Sequence, residues 1–227
     1  MNVLYIIPAR SGSKRLPNKN IKNMNGKTLL CYSIDVAREV TTDEHICVST
    51  DSEHTKSLVE TYGLKVPFLR PSKIATDQAT TNDVISHALE YYKRDKGVVY
   101  DAVVLLQPTS PMRTKEHLEM ALGMFNENID MVVSVKKSHS ASVLCQENEF
   151  GFVELIFNKK GLRAQEVKEF YEYNGSIYVI NVKQLLAKGM SKLIKRKKMI
   201  MSELYSIDID TAFDFELAEH LLNRKRT

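Results

Sequence analysis

Cationic side chains are concentrated near the start of the chain. Arg10, Lys14, Arg15 and Lys19 surround a run of small residues at 11–13. Small residues let backbone N–H groups approach an anion, and arginine and lysine add charge-assisted hydrogen bonds to phosphate oxygens. The spacing fits neither the GxxxxGKS/T phosphate loop nor the GxGxxG dinucleotide turn. The segment therefore predicts a polyphosphate site of another type, with a solvated basic loop as the alternative.

Two aspartates, Asp208 and Asp210, are separated by one residue near the end of the chain. On a strand these side chains would point to one side, and the flanking Ile207 and Ile209 would face the core. Adjacent carboxylates repel, and a hard cation such as Mg²⁺ that also binds substrate phosphates would relieve the repulsion. The pair therefore favours a magnesium site. The alternative is Asp210 as the N-cap of a final helix with Asp208 in solvent.

Other polar segments are less specific. A proline-fixed loop at 107–111 follows an apolar run and could be a site or a turn that caps the next helix. Asn174-Gly175 is ordinarily a turn. The histidines show no metal-ligand spacing with cysteine, and no GxSxG nucleophile elbow occurs. Basic residues at 192–198 and 224–226 lack interleaved aromatics to stack bases, which favours a solvated face.

Strands and helices alternate along the chain in a way that would position these residues. The pattern indicates βαβ units and a parallel sheet with helices on both faces, where ligands bind at the carboxyl ends of strands. The polar loops at 10–20, 50–51 and 107–113 follow predicted strands. From 138 to 172 the alternation breaks, and a β-ribbon is expected there. Predicted strands are 3–7, 45–49, 65–69, 102–106, 131–135 and 176–180, and predicted helices are 28–40, 53–62, 81–94, 114–125 and 212–222.

Length and composition limit the possible classes. The 227 residues, 43% of them hydrophobic, suffice for one domain with an insertion. Three scattered cysteines form no disulfide framework, and no apolar run approaches the roughly 20 residues of a membrane helix. Without a signal-peptide pattern a cytoplasmic protein is expected. The net charge of +4 does not by itself predict nucleic-acid binding but leaves a small anionic substrate open.

Four stretches of the chain stand out in order: IPARSGSKRLPNKNI at 7–21, VPFLRP at 66–71, LLQPTSPMR at 105–113 and SIDIDT at 206–211. Together they resemble the acylneuraminate (sialic acid-type) cytidylyltransferases. The resemblance implies a three-layer, Rossmann-like α/β nucleotidyltransferase fold with a mainly parallel sheet. It also implies a single domain over 1–227, with an insertion at about 138–172 that serves dimerisation and the sugar pocket. The 3-deoxy-manno-octulosonate cytidylyltransferases resemble the opening stretch less well.

The resemblance further implies a homodimer that converts CTP and a nonulosonic acid into CMP-sugar and pyrophosphate, with Mg²⁺ and without nucleic-acid or membrane partners. The anomeric hydroxyl would attack the α-phosphorus, and its proton would pass to Asp208 or to a hydroxide on the metal. A different sugar substrate and a nucleic-acid or anion-binding module are the alternatives, and pyrophosphate release separates them. Among the acids, N-acetylneuraminate, legionaminate and pseudaminate remain open.

Site residues carry over by position. The catalytic residues implied are Asp208, Arg10 and Lys19, and the metal ligands implied are Asp208 and Asp210. The residues implied to bind the nucleotide are Arg10, Ser13, Lys14, Lys19, Asn20, Arg70 at the cytosine, and Thr81, for which Thr80 competes. The residues implied to line the sugar pocket are Gln107, Thr109, Ser110, Arg163 at the sugar carboxylate, Gln165, Asn174 and Tyr178.

Overall fold

The structure is a computed structural model that describes residues 1–13, 15–138, 143–156 and 169–224. Helices and strands alternate through the first half of the chain, as predicted. The strands are β1 (Val3–Pro8), β2 (Asn23–Met24), β3 (Lys27–Thr28), β4 (Ile46–Ser49), β5 (Ala102–Leu106), β6 (Met131–Ser138), β7 (Cys145–Glu147), β8 (Val153–Leu155), β9 (Phe170–Asn181) and β10 (Arg196–Ile200). The helices are α1 (Leu29–Arg38), α2 (Glu53–Thr61), α3 (Thr81–Lys96), α4 (Lys115–Met124), α5 (Val182–Lys188) and α6 (Ala212–Arg224).

A six-stranded sheet in the order β10-β6-β9-β5-β1-β4 organises the described part of the chain. β1 is parallel to β4 and β5, and β10 is parallel to β6, whereas β9 is antiparallel to both of its neighbours. The prediction of an α/β fold with a mainly parallel sheet is confirmed.

Both faces of the central strands are buried, which explains their apolar runs without polar alternation. Along β1, Tyr5 and Ile7 pack with α1, α2 and α4, whereas Leu4 and Ile6 pack with α3 and α5. This alternation follows from the two-residue period of a strand. The sheet therefore lies between two helical layers.

Two local predictions were wrong, and one strand was not predicted. Residues 65–69 form no strand: only an isolated bridge joins Leu69 to Thr50, and Pro67 lacks the N–H that a ladder requires. The strand that was not predicted is the edge strand β10, which lies in the basic segment. Its charged residues are exposed, in agreement with the predicted solvated face, and only Met199 is buried. Asn174-Gly175 makes no turn and lies within β9, which starts at Phe170 rather than at residue 176.

The predicted insertion begins and ends inside the sheet. The end of β6 pairs with the start of β9, with Lys136 opposite Glu172 and Ser138 opposite Phe170. Between them, β7 and β8 form an antiparallel hairpin whose strand residues are all exposed. The described residues contain no helix that is long and apolar enough to cross a membrane.

Candidate active site

A cleft of about 440 Å³ opens at the carboxyl ends of β1 and β5. It brings together residues from all four of the motifs that carried the resemblance. Among the predicted site residues, those that line it are Arg10, Ser13, Lys19, Asn20, Arg70, Thr81, Gln107, Thr109 and Asp210. Lys14, Arg163 and Gln165 lie outside the described residues, so their predicted roles stay predictions.

The basic loop after β1 is held in place by polar side chains from other segments. Asn20 donates from Nδ2 to the Arg10 carbonyl at 3.1 Å. Asp51, two residues after the end of β4, accepts hydrogen bonds from the Ser11 backbone N–H at 2.8 Å and from the Ser11 hydroxyl at 2.7 Å. Partial burial would raise the pKa of Asp51, but these hydrogen bonds outweigh it and the net pKa is lowered. Asp51 is a site residue that was not predicted individually, although its place after a predicted strand was the available signal.

Each described cation of the loop is paired with a carboxylate. Arg10 contacts Asp77 at 2.7 Å, and Asp210 contacts both Lys19 at 2.9 Å and Arg15 at 2.6 Å. The Lys19 side chain is only 12% exposed, whereas that of Arg15 is 72% exposed. A polyphosphate entering the cleft would replace these carboxylates with phosphate oxygens, which form strong charge-assisted hydrogen bonds with both arginine and lysine. Asp77 was also missed, because its loop carries no motif.

Asp208 and Asp210 flank Ile209, which is fully buried in a small cluster with Leu16 and Phe215 of α6. The segment forms no strand of the described sheet, so the predicted strand geometry is wrong. Ile209 nevertheless faces the core, as expected, and its burial holds the segment in place.

The competing interpretation is correct in one part and wrong in the other: Asp208 is an exposed residue, as that interpretation expects, but Asp210 does not cap the helix. Thr211 caps α6 instead: its hydroxyl accepts a hydrogen bond from the Asp214 N–H at 3.2 Å, and its own N–H donates to Asp214 at 2.8 Å. Asp210 is therefore free of this structural task, and its carboxylate faces the cations described above.

Asp208 packs against the Asn174-Gly175 bulge of β9, where the register shifts between Val133 and Val135. Gly175 has φ +70°, and a Cβ built there would lie 3.3 Å from Asp208 Oδ2. Desolvation raises the pKa of Asp208, and the nearby Asp210 and Asp214 carboxylates raise it further, against the opposing effects of Thr109 and Lys19.

The donor chemistry of the two aspartates fits Mg²⁺. The described residues contain no group of three or more His, Cys, Asp or Glu side chains that could hold a metal ion. Two carboxylates completed by substrate phosphates and water are nevertheless a usual magnesium arrangement. A divalent cation would also offset the repulsion that contributes to the raised pKa of Asp208.

Arg70 is buried and lines the cleft. It donates from Nε to the Ser49 hydroxyl at 3.0 Å and from Nη2 to the Ser49 carbonyl at 2.5 Å. At the start of α3, the side chain of Thr80 is engaged in a capping box with Asp83. This engagement favours Thr81 over Thr80 as the residue that would contact a nucleoside.

The residues predicted for the sugar are divided between two environments. Tyr178 lines a second cavity of about 550 Å³ with Tyr173 and Arg196, and this cavity shares Thr81 with the cleft. Ser110 is fully buried in the loop after β5.

Asn174 is engaged within the protein. It accepts a hydrogen bond from the Ser134 hydroxyl at 2.6 Å and donates to the Ser206 hydroxyl at 2.9 Å. In this structure its amide therefore holds the bulge of β9 in place.

Comparison with known proteins places this geometry in a family. The Cytidylyltransferase family model matches residues 4–226. The chain is 35% identical to the CMP-N,N'-diacetyllegionaminic acid synthase of Legionella pneumophila, over 98% of this chain and 97% of that protein. It is also 35% identical to the N-acylneuraminate cytidylyltransferase of Escherichia coli, over 98% of this chain but 52% of that longer protein.

A solved structure supports the fold independently. A CMP:2-keto-3-deoxy-manno-octonic acid synthetase in complex with CTP superposes with a TM-score of 0.74 at 18% identity, covering 99% of this chain and 100% of that one. At this low identity the likeness establishes the nucleotidyltransferase fold alone. The family match over residues 4–226 and the 35% identity to the Legionella protein show that the chain belongs to the cytidylyltransferase family.

Proposed function

We propose that this protein transfers CMP from CTP to a nonulosonic acid and releases pyrophosphate. The observation that carries the proposal is the single cleft that joins the basic loop, Arg70, Gln107 and Asp210 at one edge of the sheet. The two relatives that act on legionaminic and acylneuraminic acids support this class of substrate.

The cations of the cleft would hold the triphosphate. Arg10 and Lys19 exchange their carboxylate partners for phosphate oxygens, and the backbone of the loop, fixed by Asp51, supplies N–H donors. Arg70, anchored by Ser49, offers its guanidinium to the cytosine. Charge neutralisation and positioning account for most of the catalysis of such transfers.

The acceptor sugar would lie between Gln107 and Thr109 of the cleft and Tyr178 of the second cavity. The anomeric oxygen forms a bond to the α-phosphorus while the bond from that phosphorus to the pyrophosphate oxygen breaks. Asp208, whose carboxylate packs against Gly175 of β9, is the proposed acceptor of the proton that the hydroxyl loses. Asp208 and Asp210 would hold Mg²⁺, which supplies charge neutralisation at the phosphates when it is bound.

The test is pyrophosphate release from CTP and Mg²⁺ with N-acetylneuraminate, N,N'-diacetyllegionaminate, pseudaminate and 3-deoxy-manno-octulosonate as separate acceptors. Turnover with at least one nonulosonic acid is expected, and ATP in place of CTP serves as the control nucleotide. Turnover with 3-deoxy-manno-octulosonate alone, or with none of the acids, would overturn the proposal.

We also infer a homodimer from the exposed apolar surface of the β7–β8 hairpin. Phe150, Phe152 and Val153 are 74%, 68% and 73% exposed, and Leu155 and Ile156 add to the same hairpin. Contiguous exposed apolar surface of this kind marks an interaction site. Sedimentation velocity should give twice the monomer mass, and Phe152→Asp should shift the species toward monomer. A monomeric wild-type protein at micromolar concentration would refute the inference.

A further inference from the structure

Arg113 is a buried cation that none of the roles above uses. It is 5% exposed, and its hydrogen bonds within the described residues go to backbone carbonyls. Nε donates to Ser110 O at 2.9 Å, Nη1 donates to Ser176 O at 2.9 Å, and Nη2 donates to the Gln107 carbonyl. Burying a charge is costly, and neutral acceptors return only part of that cost. Stability alone therefore gives little reason for an arginine at this position.

The first connection from Arg113 to the reacting groups runs through the loop after β5. Arg113 holds the carbonyls of Gln107 and Ser110 at the two ends of this loop. Between them, the Thr109 carbonyl accepts a hydrogen bond from the Ile209 N–H at 2.8 Å. Because Ile209 separates the two aspartates, the position of the loop sets the position of both carboxylates.

The second connection runs through β9. Ser176, whose carbonyl Arg113 holds, follows Gly175, and the Asp208 carboxylate packs against that glycine. Burial lowers the pKa of Arg113 to about 9, and the negative charge of Asp208 opposes this shift. The Arg113 guanidinium therefore interacts with the Asp208 carboxyl group as well as with the three carbonyls.

We propose that Arg113 is a positioning residue whose planar fork locks the loop after β5 to β9 and thereby places Asp208 for the transfer step. Lysine could not do the same, because a single ammonium on a flexible stem cannot span three carbonyls in one plane. The proposal rests on the proposed function, since the placement of Asp208 matters only if the nucleotide and sugar react beside it.

The experiment compares Arg113→Lys with the wild-type protein and with Arg38→Lys in the pyrophosphate-release assay. Arg38 is a matched control, because it donates to the Gly63 carbonyl at 3.1 Å and pairs with Asp43, both outside the cleft. For Arg113→Lys, cooperative unfolding is retained, kcat falls on the order of 100-fold, and the KM for CTP stays within about threefold. For Arg38→Lys, kcat remains at the wild-type value.

Three results would overturn the proposal while leaving the proposed function intact. One is an Arg113→Lys protein whose kcat is within about threefold of wild type; another is a variant in which only the KM for CTP changes. The third is failure of both Arg113→Lys and Arg113→Gln to fold, since Arg113 would then serve the fold as a whole. A wild-type protein that releases no pyrophosphate with any acid would instead overturn the proposed function and this proposal together.

Discussion

Replacing Gly175 with alanine tests whether the β9 bulge positions Asp208. Gly175 has φ +70°, a conformation that costs an L-residue about 1–2 kcal/mol. For a protein of this size, 1 kcal/mol corresponds to about 2–4 °C in Tm, so Gly175→Ala should lower Tm by about 2–8 °C. The new Cβ would lie 3.3 Å from Asp208 Oδ2, which forces the carboxylate to move by a few tenths of an ångström.

The effect on catalysis follows from that displacement. If a 1 Å misplacement costs on the order of 100-fold in rate, a shift of a few tenths of an ångström should lower kcat about fivefold. The assay is pyrophosphate release at saturating CTP and sugar, with Tm measured on the same samples by differential scanning fluorimetry.

Gly97→Ala is the matched control. Gly97 has φ +65°, and nothing lies within 4 Å of its built Cβ. It ends α3, a helix of 16 residues, so it lies about 24 Å along the helix from Thr81 at the cleft. The control should lose a similar amount of stability and keep its kcat. Equal kcat values for the two variants would refute the claim that the bulge positions Asp208.

Three further predictions concern the charges of the site. Lys19→Met should raise the KM for CTP at least about tenfold, because Lys19 is largely buried in the cleft. Arg15→Met removes an exposed partner of the same aspartate and should change the KM for CTP less than threefold. Equal effects of the two substitutions would contradict this prediction. Asp77→Asn should lower the KM for CTP, because it frees Arg10 from a competing carboxylate, and a raised KM would assign Asp77 to substrate binding. Asp208→Asn should raise Tm at pH 7. The pKa of the Asp208 carboxyl group is higher in the folded protein than in the unfolded chain, so the wild-type protein loses stability as pH rises from the unfolded pKa to the folded one. Asparagine carries no charge and avoids this loss. The gain should disappear below the pKa of the unfolded chain, which a pH series of melting curves would check.

The sequence predicted the parts of the site that depend on local pattern. β1 and β5 are continuous apolar runs because both of their faces are buried, and such runs are typical of parallel strands inside a sheet. Polar residues that follow such a strand lie at its carboxyl end, where ligands bind. For the same reason, the placement of Arg10 and Gln107 in one cleft was predictable. Edge strand β10 was not, because one exposed side and several charges erase the apolar signal.

Contacts between residues far apart in the sequence could not be predicted from local sequence patterns. Lys19 meets Asp210 across 191 residues of sequence, and Ser11 meets Asp51 across 40. Arg113 lies in one of the motifs, but the neighbouring residues gave no indication that its guanidinium would donate hydrogen bonds both to the loop after β5 and to β9. Such pairings depend on strand order and register, which local propensities do not encode.

The alternating α/β architecture, the family and the chemical character of the cleft could be predicted from the sequence alone. These follow from side-chain period, from residues next to strand ends, and from four motifs in order. Only the folded chain shows which groups face one another: the antiparallel insertion of β9, the bulge that supports Asp208, and the carboxylates that hold the cations. These pairings could not be predicted because pKa values, ion pairs and the contacts of a buried guanidinium depend on distances across the sheet, and those distances exist only after the strands have assembled.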